Sequence, residues 1–376
     1  YYADTRLLLG LLNETETQTF ALGLSTGLRA LWEAEEDFDF TFASPSTASL
    51  DYDLDWATGA AETFLRYRQR DVDSTTLLEL DLDTPTPDDF REIREDATER
   101  RYDGGFGLQL ATDSPSSYEI NFAATRIDYD EEADDLAPRT TLQGDGAWIL
   151  QLTPAVSGTL GATYSYFDAE NPRETEIREG EVNAGVIYDP NELLRLRFGL
   201  GYANYTREET VGGVRRDVSD DSGYVLTGGL RYLFEEITLD ANARLTNAAP
   251  ETRLSGTLQA TYPLPRGLLT GRLFQRYGGG ETGDEIRVVG ASIGVDREIN
   301  TASRLGFDVA VARQEDLDTD DPDVDRFNFT ATYSYDLTEA VTASVGYRFR
   351  SRDEEPESAT SNAVFVEVGR AFESGF

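Results

Sequence analysis

The sequence predicts an all-β chain: one transmembrane, antiparallel, up-and-down β-barrel of about 18 strands, within a range of 16–20. Three observations carry that prediction. Apolar and polar residues alternate with period 2 from end to end. The alternating segments are long. The connections between them are alternately short and long.

The alternation is plainest near the C-terminus. Phe327, Phe329, Ala331, Tyr333, Tyr335 and Leu337 share one face; Asn328, Thr330, Thr332, Ser334 and Asp336 share the other. After Thr338-Glu339-Ala340 the pattern repeats, with Val341, Ala343, Val345, Tyr347 and Phe349 against Thr342, Ser344, Gly346, Arg348 and Arg350. The segments 159–166, 224–234 and 237–245 read the same way. About 19 segments of roughly 9–14 residues can be counted. A tilted membrane strand needs about 9–11 residues, whereas soluble strands are nearer 5–6.

Short connections include Thr58 to Ala61, Asp113 to Ser117, Thr153 to Ala155, Asp189 to Glu192, Glu235-Glu236 and Pro263 to Arg266. Between them lie longer acidic ones: Asp71 to Arg101, Asp130 to Pro138, Ala169 to Thr175, Arg207 to Ser222, Gly278 to Asp284, Gln314 to Val324 and Ser351 to Thr360. Tight turns on one rim and long loops on the other is the arrangement of a membrane barrel. Aromatic residues such as Tyr164, Tyr188, Tyr202, Phe234, Tyr262, Tyr335 and Tyr347 fall near strand ends on the apolar face, where interfacial belts form.

Composition supports one large domain spanning 1–376, since no stretch reads as a linker. No apolar run reaches the length of a transmembrane helix. A net charge of -38 repels nucleic acid and argues against binding it. The chain has no Cys, His, Met or Lys, so its 33 basic residues are all Arg. Without His or Cys, the usual general base and thiol nucleophile are missing, and the chain reads as not an enzyme.

The last strand carries Val364, Val366 and Val368 on one face and ends in an aromatic residue. Glu367, Gly369 and Phe372 resemble the polar, Gly and first aromatic points of the C-terminal assembly signal of bacterial outer-membrane proteins. Ser374 departs from it, and Phe376 lies two residues beyond. The whole chain resembles the large porin-like barrels of alphaproteobacterial type. That resemblance implies an outer-membrane location, insertion by the barrel assembly machinery, contact with outer-membrane lipid and lipopolysaccharide, periplasmic turns and extracellular loops. It implies a channel or surface role and leaves homo-oligomerisation open.

Counting back from Phe376 sets a parity question. Every short turn falls on the periplasmic side, but the first segment, Thr5 to Leu12, then runs down into Asn13–Thr17 and leaves Tyr1 outside. Bacterial single-chain barrels have even strand numbers. Either residues 5–12 are not a wall strand, giving 18, or a strand precedes Tyr1, giving 20; the first is the reading preferred from sequence.

Charged residues on polar faces must point into the lumen, because an Arg facing lipid at the midplane costs about 2–4 kcal/mol. Asp51, Asp53 and Asp55 alternate with apolar residues, and so do Arg66, Arg68 and Arg70. A turn centred on Gly59-Ala60-Ala61 predicts Asp55 opposite Arg66, Asp53 opposite Arg68 and Asp51 opposite Arg70. Such a ladder either neutralises itself or sets a transverse field that orients small polar solutes. The connection 72–101 holds a candidate short helix, with Thr86 as N-cap, Pro87 in the first turn and Asp88-Asp89 at its N-terminal end. Asp316, Asp318 and Asp320 belong to an acidic loop that reads as a solvated rim, with weak Ca²⁺ or Mg²⁺ binding as the alternative and no other cofactor. The function expected is passive passage of small hydrophilic solutes or ions through a porin-like channel. The alternative is a surface-interaction barrel with a plugged lumen, meeting a polysaccharide, lipopolysaccharide or protein.

Overall fold

The computed structural model of the chain describes residues 2–31, 39–72, 97–130, 137–170, 173–248, 252–279, 285–317, 322–338, 340–354 and 357–370. These form nineteen strands: β1 (Tyr2–Glu14), β2 (Gln18–Leu31), β3 (Asp39–Trp56), β4 (Gly59–Val72), β5 (Ala97–Leu110), β6 (Ser116–Tyr129), β7 (Arg139–Thr153), β8 (Val156–Ala169), β9 (Thr175–Asn191), β10 (Leu194–Val211), β11 (Val214–Phe234), β12 (Ile237–Thr246), β13 (Arg253–Leu264), β14 (Gly267–Gly279), β15 (Glu285–Asn300), β16 (Ser303–Asp316), β17 (Val324–Thr338), β18 (Val341–Glu354) and β19 (Glu357–Arg370).

Each strand pairs antiparallel with the next in sequence, from β1–β2 through β18–β19. The expected alternation of connections holds at most hairpins. Tight turns such as Ala57-Thr58, Pro154-Ala155, Glu192-Leu193, Glu235-Glu236 and Pro265-Arg266 lie on one rim. Glu235 takes a left-handed φ of 50° there, as a two-residue hairpin turn demands.

The strand count falls within the expected 16–20, but the preference for leaving residues 5–12 out of the wall is corrected. Tyr2–Glu14 pairs with β2 along its whole length, from Tyr2 opposite Leu31 to Glu14 opposite Thr19, so it is a wall strand and the described residues form 19 strands. Its Leu7-Leu8-Leu9-Gly10-Leu11-Leu12 run lacks clean alternation, which is why the sequence disguises it. Among the described residues no ladder joins β1 to β19. Leu8 is 74% exposed and Val364 75%, more than most apolar residues on inner strands, as edge positions should be.

A second correction concerns Arg207 to Ser222. These residues are not a loop. β10 and β11 continue through them and meet at the two-residue turn Gly212-Gly213, both at positive φ (62° and 77°). Glycine accepts that conformation without the Cβ clash other residues meet. Ala97–Arg101, expected in the long connection as the end of the candidate helix, likewise belong to β5, and the rest of that helix, from Thr86, lies outside the described residues.

The two faces of the sheet separate as the pattern requires. Leu160, Phe198, Leu200, Tyr202, Leu226 and Ile293 are exposed on the apolar outer face. Exposed outer-face Tyr188, Phe234, Tyr262 and Tyr335 stand near the turn rim, with Tyr102, Tyr164, Tyr202 and Tyr224 nearer the loop rim. The inner face divides across its height. Near the turn rim Asp53, Asp55, Glu62, Arg195, Arg197, Arg231, Asp240 and Arg304 are exposed. Near the loop rim Glu99, Ile127, Arg139, Ala169, Thr175, Arg207, Thr246, Ile286, Val288, Ala312 and Arg326 are buried. On the outer face at the turn rim, Ser303, opposite Tyr335, is buried.

Candidate functional site

Two sets of charged side chains stand on the inner wall. The first lies on β3, β4 and β5. Asp51, Asp53 and Asp55 share the inner face with Arg66, Arg68 and Arg70, as expected, but their partners differ. The turn closes at Ala57-Thr58 with Trp56 opposite Gly59, so Asp51 faces Phe64, Asp53 faces Glu62 and Asp55 faces Ala60. None of the three expected pairs stands directly opposed; a diagonal contact that was not expected joins the two sets, with Arg66 Nη2 3.4 Å from Asp51 Oδ1. Arg66 also lies over the Phe64 ring at 4.9 Å.

The upper arginines turn the other way. Arg70 sits directly opposite Glu99 on β5 and donates to both its oxygens, Nε to Oε1 at 2.8 Å and Nη2 to Oε2 at 3.1 Å. Arg68 Nη2 adds a longer contact of 3.7 Å to the same carboxylate. The Tyr129 hydroxyl donates at 3.5 Å from β6. Glu99 is 1% exposed, so a buried carboxylate is held by two guanidinium groups. Lower on β5 and β6, Asp103 accepts from Arg101 Nε at 3.0 Å and from the Thr125 hydroxyl at 2.7 Å.

The second set was not expected from sequence. Glu179 and Glu181 project inward from β9, and Arg244 reaches them from β12, across β10 and β11. Its Nη2 lies 2.8 Å from Glu179 Oε1 and 2.5 Å from Glu181 Oε2. A contact spanning two intervening strands requires the wall to curve tightly here. In the same arc the Arg253 guanidinium of β13 lies over the Tyr205 ring at 5.2 Å, and Arg272 and Arg276 of β14 flank Phe274 at 5.9 and 5.6 Å. Glu179, Tyr205, Arg244, Thr246, Ala248, Arg253, Ser255, Arg276 and Tyr277 line a cavity of about 240 Å³. The inward parity of Glu179, Glu181 and Arg244 was readable from alternation; their convergence was not, because it depends on curvature.

A larger groove of about 1040 Å³ lies on the opposite, outer face, where Leu254, Leu258, Leu273, Val289, Val311 and Phe327 line it. Being apolar and outside the lumen, it is no path for a polar solute. Directly opposed Arg326 and Arg352 on β17 and β18, with Arg350 and Arg348 below, extend the basic character of the inner wall. Arg348 stacks on Phe365 of β19 at 5.5 Å.

Of the other expected residues, Asp316 ends β16 opposite Ile286. Asp318 and Asp320 lie outside the described residues. Among the described residues no cluster of three or more metal-ligating side chains forms. Glu367 and Gly369 are in β19, opposite Ser344 and Thr342, while Phe372 and Phe376 lie outside the described residues.

No protein-family model matches the chain, and no curated protein matches it. Solved structures do. The chain is similar to the iron transporter FrpB of Neisseria meningitidis, at 8% identity and a TM-score of 0.58 over 98% of this chain and 72% of that one. It is similar to the open form of the ferric-catecholate import receptor Fiu of E. coli K12, at 11% identity and a TM-score of 0.54 over 98% and 73%. A third is the siderophore receptor PiuA of Acinetobacter baumannii, at 8% identity and a TM-score of 0.52 over 98% and 80%. These neighbours are bacterial outer-membrane β-barrels, and the likeness is one of fold. The chain therefore has the outer-membrane barrel fold.

Proposed function

We propose that this chain is the wall of an outer-membrane transport barrel that passes small hydrophilic solutes, inserted with its long connections on the cell's outer side. The observation that carries this reading is the inner wall itself. A face rich in Asp, Glu and Arg, opposite a face of exposed aliphatic and aromatic residues, suits water inside and lipid outside. The names of the fold neighbours, an iron transporter and import receptors, lend support at the level of transport. Passive passage down a gradient is the simplest mechanism for such a wall. Ion-paired charges would hold water and polar groups without binding them tightly, as conduction requires.

A second reading draws on the burial of Glu99, Arg139, Thr175, Arg207 and Arg326 at the loop side. Buried wall residues there favour a lumen narrowed or closed near the outer rim, as in a barrel that binds its solute or partner before admitting it. Proteoliposome swelling separates the two. Under passive passage, liposomes carrying the protein swell in isotonic small sugars or amino acids faster than empty ones. Swelling no faster than in empty liposomes would overturn the passive channel and leave the closed barrel.

A further inference from the structure

We propose that the free edge of β11, above the membrane, is a docking site for an extended basic segment of a partner polypeptide, which pairs with it as one more antiparallel strand. Docking there needs neither a conducting nor a closed lumen.

β11 has 21 residues, yet its ladder with β12 runs only from Phe234 opposite Ile237 to Val225 opposite Thr246. β12 ends there, and Asn247 caps the ladder. Its backbone N–H donates to the Tyr224 carbonyl at 3.3 Å, and its Oδ1 accepts from the Tyr224 N–H at 2.8 Å. Beyond that point residues 214–223 pair with β10 on one side and, among the described residues, with no strand on the other. They rise past the exposed outer-face Tyr202 and Tyr224, so they stand in water rather than lipid. Both backbone groups of Tyr224 point to the β12 side. Ladder alternation turns those of Ser222 and Asp220 the same way and, across the bulge at Val218, those of Asp217 and Arg215. About ten residues at roughly 3.4 Å each make an edge of about 30 Å. Main-chain hydrogen bonds to such an edge supply affinity, and side chains select the partner.

The selection here is for positive charge. On the outer face Asp168 stands opposite Glu176, Glu176 opposite Glu208, and Glu208 opposite Asp217. Like charges directly opposed weaken a ladder, and this row of carboxylates ends on the free edge. Arg178 and Arg215 offset it only in part. Arg178 is held by Glu176, and Arg215 lies 3.0 Å from Glu176 and also contacts Glu208. Among the described residues neither Asp217 nor Asp220 is in an ion pair. A strand with cationic side chains at two alternate positions sets one beside Asp217 and the other beside Asp220, continuing the row with opposite charge. The inner side of the edge is mixed, with Arg216 and Asp221, so the outer side sets the preference. A second copy brings the same acids to this edge. Inserted the same way up, it also meets the edge only in parallel, and the charges reject it.

The test is a fluorescence-anisotropy titration of the full chain in uncharged detergent. The probe is a labelled synthetic peptide of about ten residues, the length of the edge, that alternates threonine with valine and carries arginine at two alternate positions. Wild-type protein is expected to bind it about 10-fold or more tightly than the D217N/D220N variant does, the loss expected when hydrogen bonds to charged groups are removed. The same peptide with glutamate in place of arginine is expected to bind wild type more weakly by a similar factor. A peptide N-methylated on alternate amides keeps its charge but cannot complete a ladder, and it too is expected to bind about 10-fold or more weakly. No binding of the arginine peptide, or equal affinity for wild type and D217N/D220N, overturns the proposal. Equal binding of the N-methylated peptide also overturns it, because basic peptides would then only adsorb to an acidic surface. Should D217N/D220N fail to fold, S222C decides in a chain that has no other cysteine. Its disulfide exchange with an arginine peptide carrying an activated cysteine is expected to be about 10-fold faster than with the N-methylated form, and equal rates overturn the edge as the site.

Discussion

The charged groups on β3–β5 and those on β9–β14 use the same residue types to different ends. On β4 and β5, Arg70 and Glu99 are direct cross-strand neighbours, and a two-pronged contact closes between them. On β9–β14, Arg244 must cross two strands to find Glu179 and Glu181, and Arg253 and Arg276 settle on aromatic rings around a cavity. The difference shows that composition alone does not make a site. Where ladder register places opposite charges side by side, they cancel and stiffen the wall. Where curvature brings side chains of non-adjacent strands together, contacts form that ladder register does not place.

The largest expected effect breaks the first set. Glu99→Gln leaves Arg70 and Arg68 facing a buried neutral group, and we expect a loss of about 3–5 kcal/mol, the usual result of removing one partner of a buried pair. Denaturant unfolding in detergent or lipid, monitored by tryptophan fluorescence, measures it, and a loss under about 1 kcal/mol would show that the pair is not buried in the membrane-inserted protein. The next test concerns the facing on which the comparison depends. Ile293→Arg, on the outer face of β15, is expected to cost about 2–4 kcal/mol, while Ser292→Arg, one residue earlier and facing inward, costs less than about 1 kcal/mol. Equal costs would mean that the two faces do not meet different solvents.

Smaller again is Arg66→Gln. Its contact with Asp51 is long and exposed, so the stability change should stay within about 1 kcal/mol. The smallest effect is at the loop end of β6. Burial pushes the Asp130 carboxyl up, but the Thr98 backbone N–H and hydroxyl, from which it accepts hydrogen bonds, more than offset this and hold its pKa below the usual carboxylate value. A depressed folded pKa gives stability that is full above the unfolded value and lost as pH falls through the folded one. The protection of the Thr98 amide against exchange, relative to its intrinsic rate at each pH, is therefore expected to fall only below about pH 4. Protection that is constant down to about pH 2 would remove the hydrogen bond from the account.

Much of this was legible in the sequence. Period-2 alternation gave the faces correctly even where the partners were misassigned. Asp51, Asp53, Asp55 and Arg66, Arg68, Arg70 do share the inner face. Moving the turn from Gly59-Ala60-Ala61 to Ala57-Thr58 shifts partners by an even number of positions, which preserves facing and changes neighbours. Turn chemistry was underused at Val211-Gly212-Gly213-Val214, where a Gly-Gly pair between β-branched residues marks a two-residue hairpin; charge density on either side disguised it as a loop. The Leu-rich β1 was undervalued because apolar residues on both faces erase the alternation. The β9–β14 cavity was out of reach, since Glu179 and Arg244 stand 65 residues apart and meet only through curvature.

The central claim is a wall with water on one face and lipid on the other, and the chain's lack of cysteine makes it directly testable. Single cysteines placed in turn at Thr159, Leu160, Gly161, Ala162 and Thr163 on β8 can be labelled in proteoliposomes with a charged, water-soluble maleimide. The expected result is strong labelling at 159, 161 and 163 and weak labelling at 160 and 162. Uniform labelling along the strand, or the opposite alternation, would contradict the barrel and every functional statement built on its lumen.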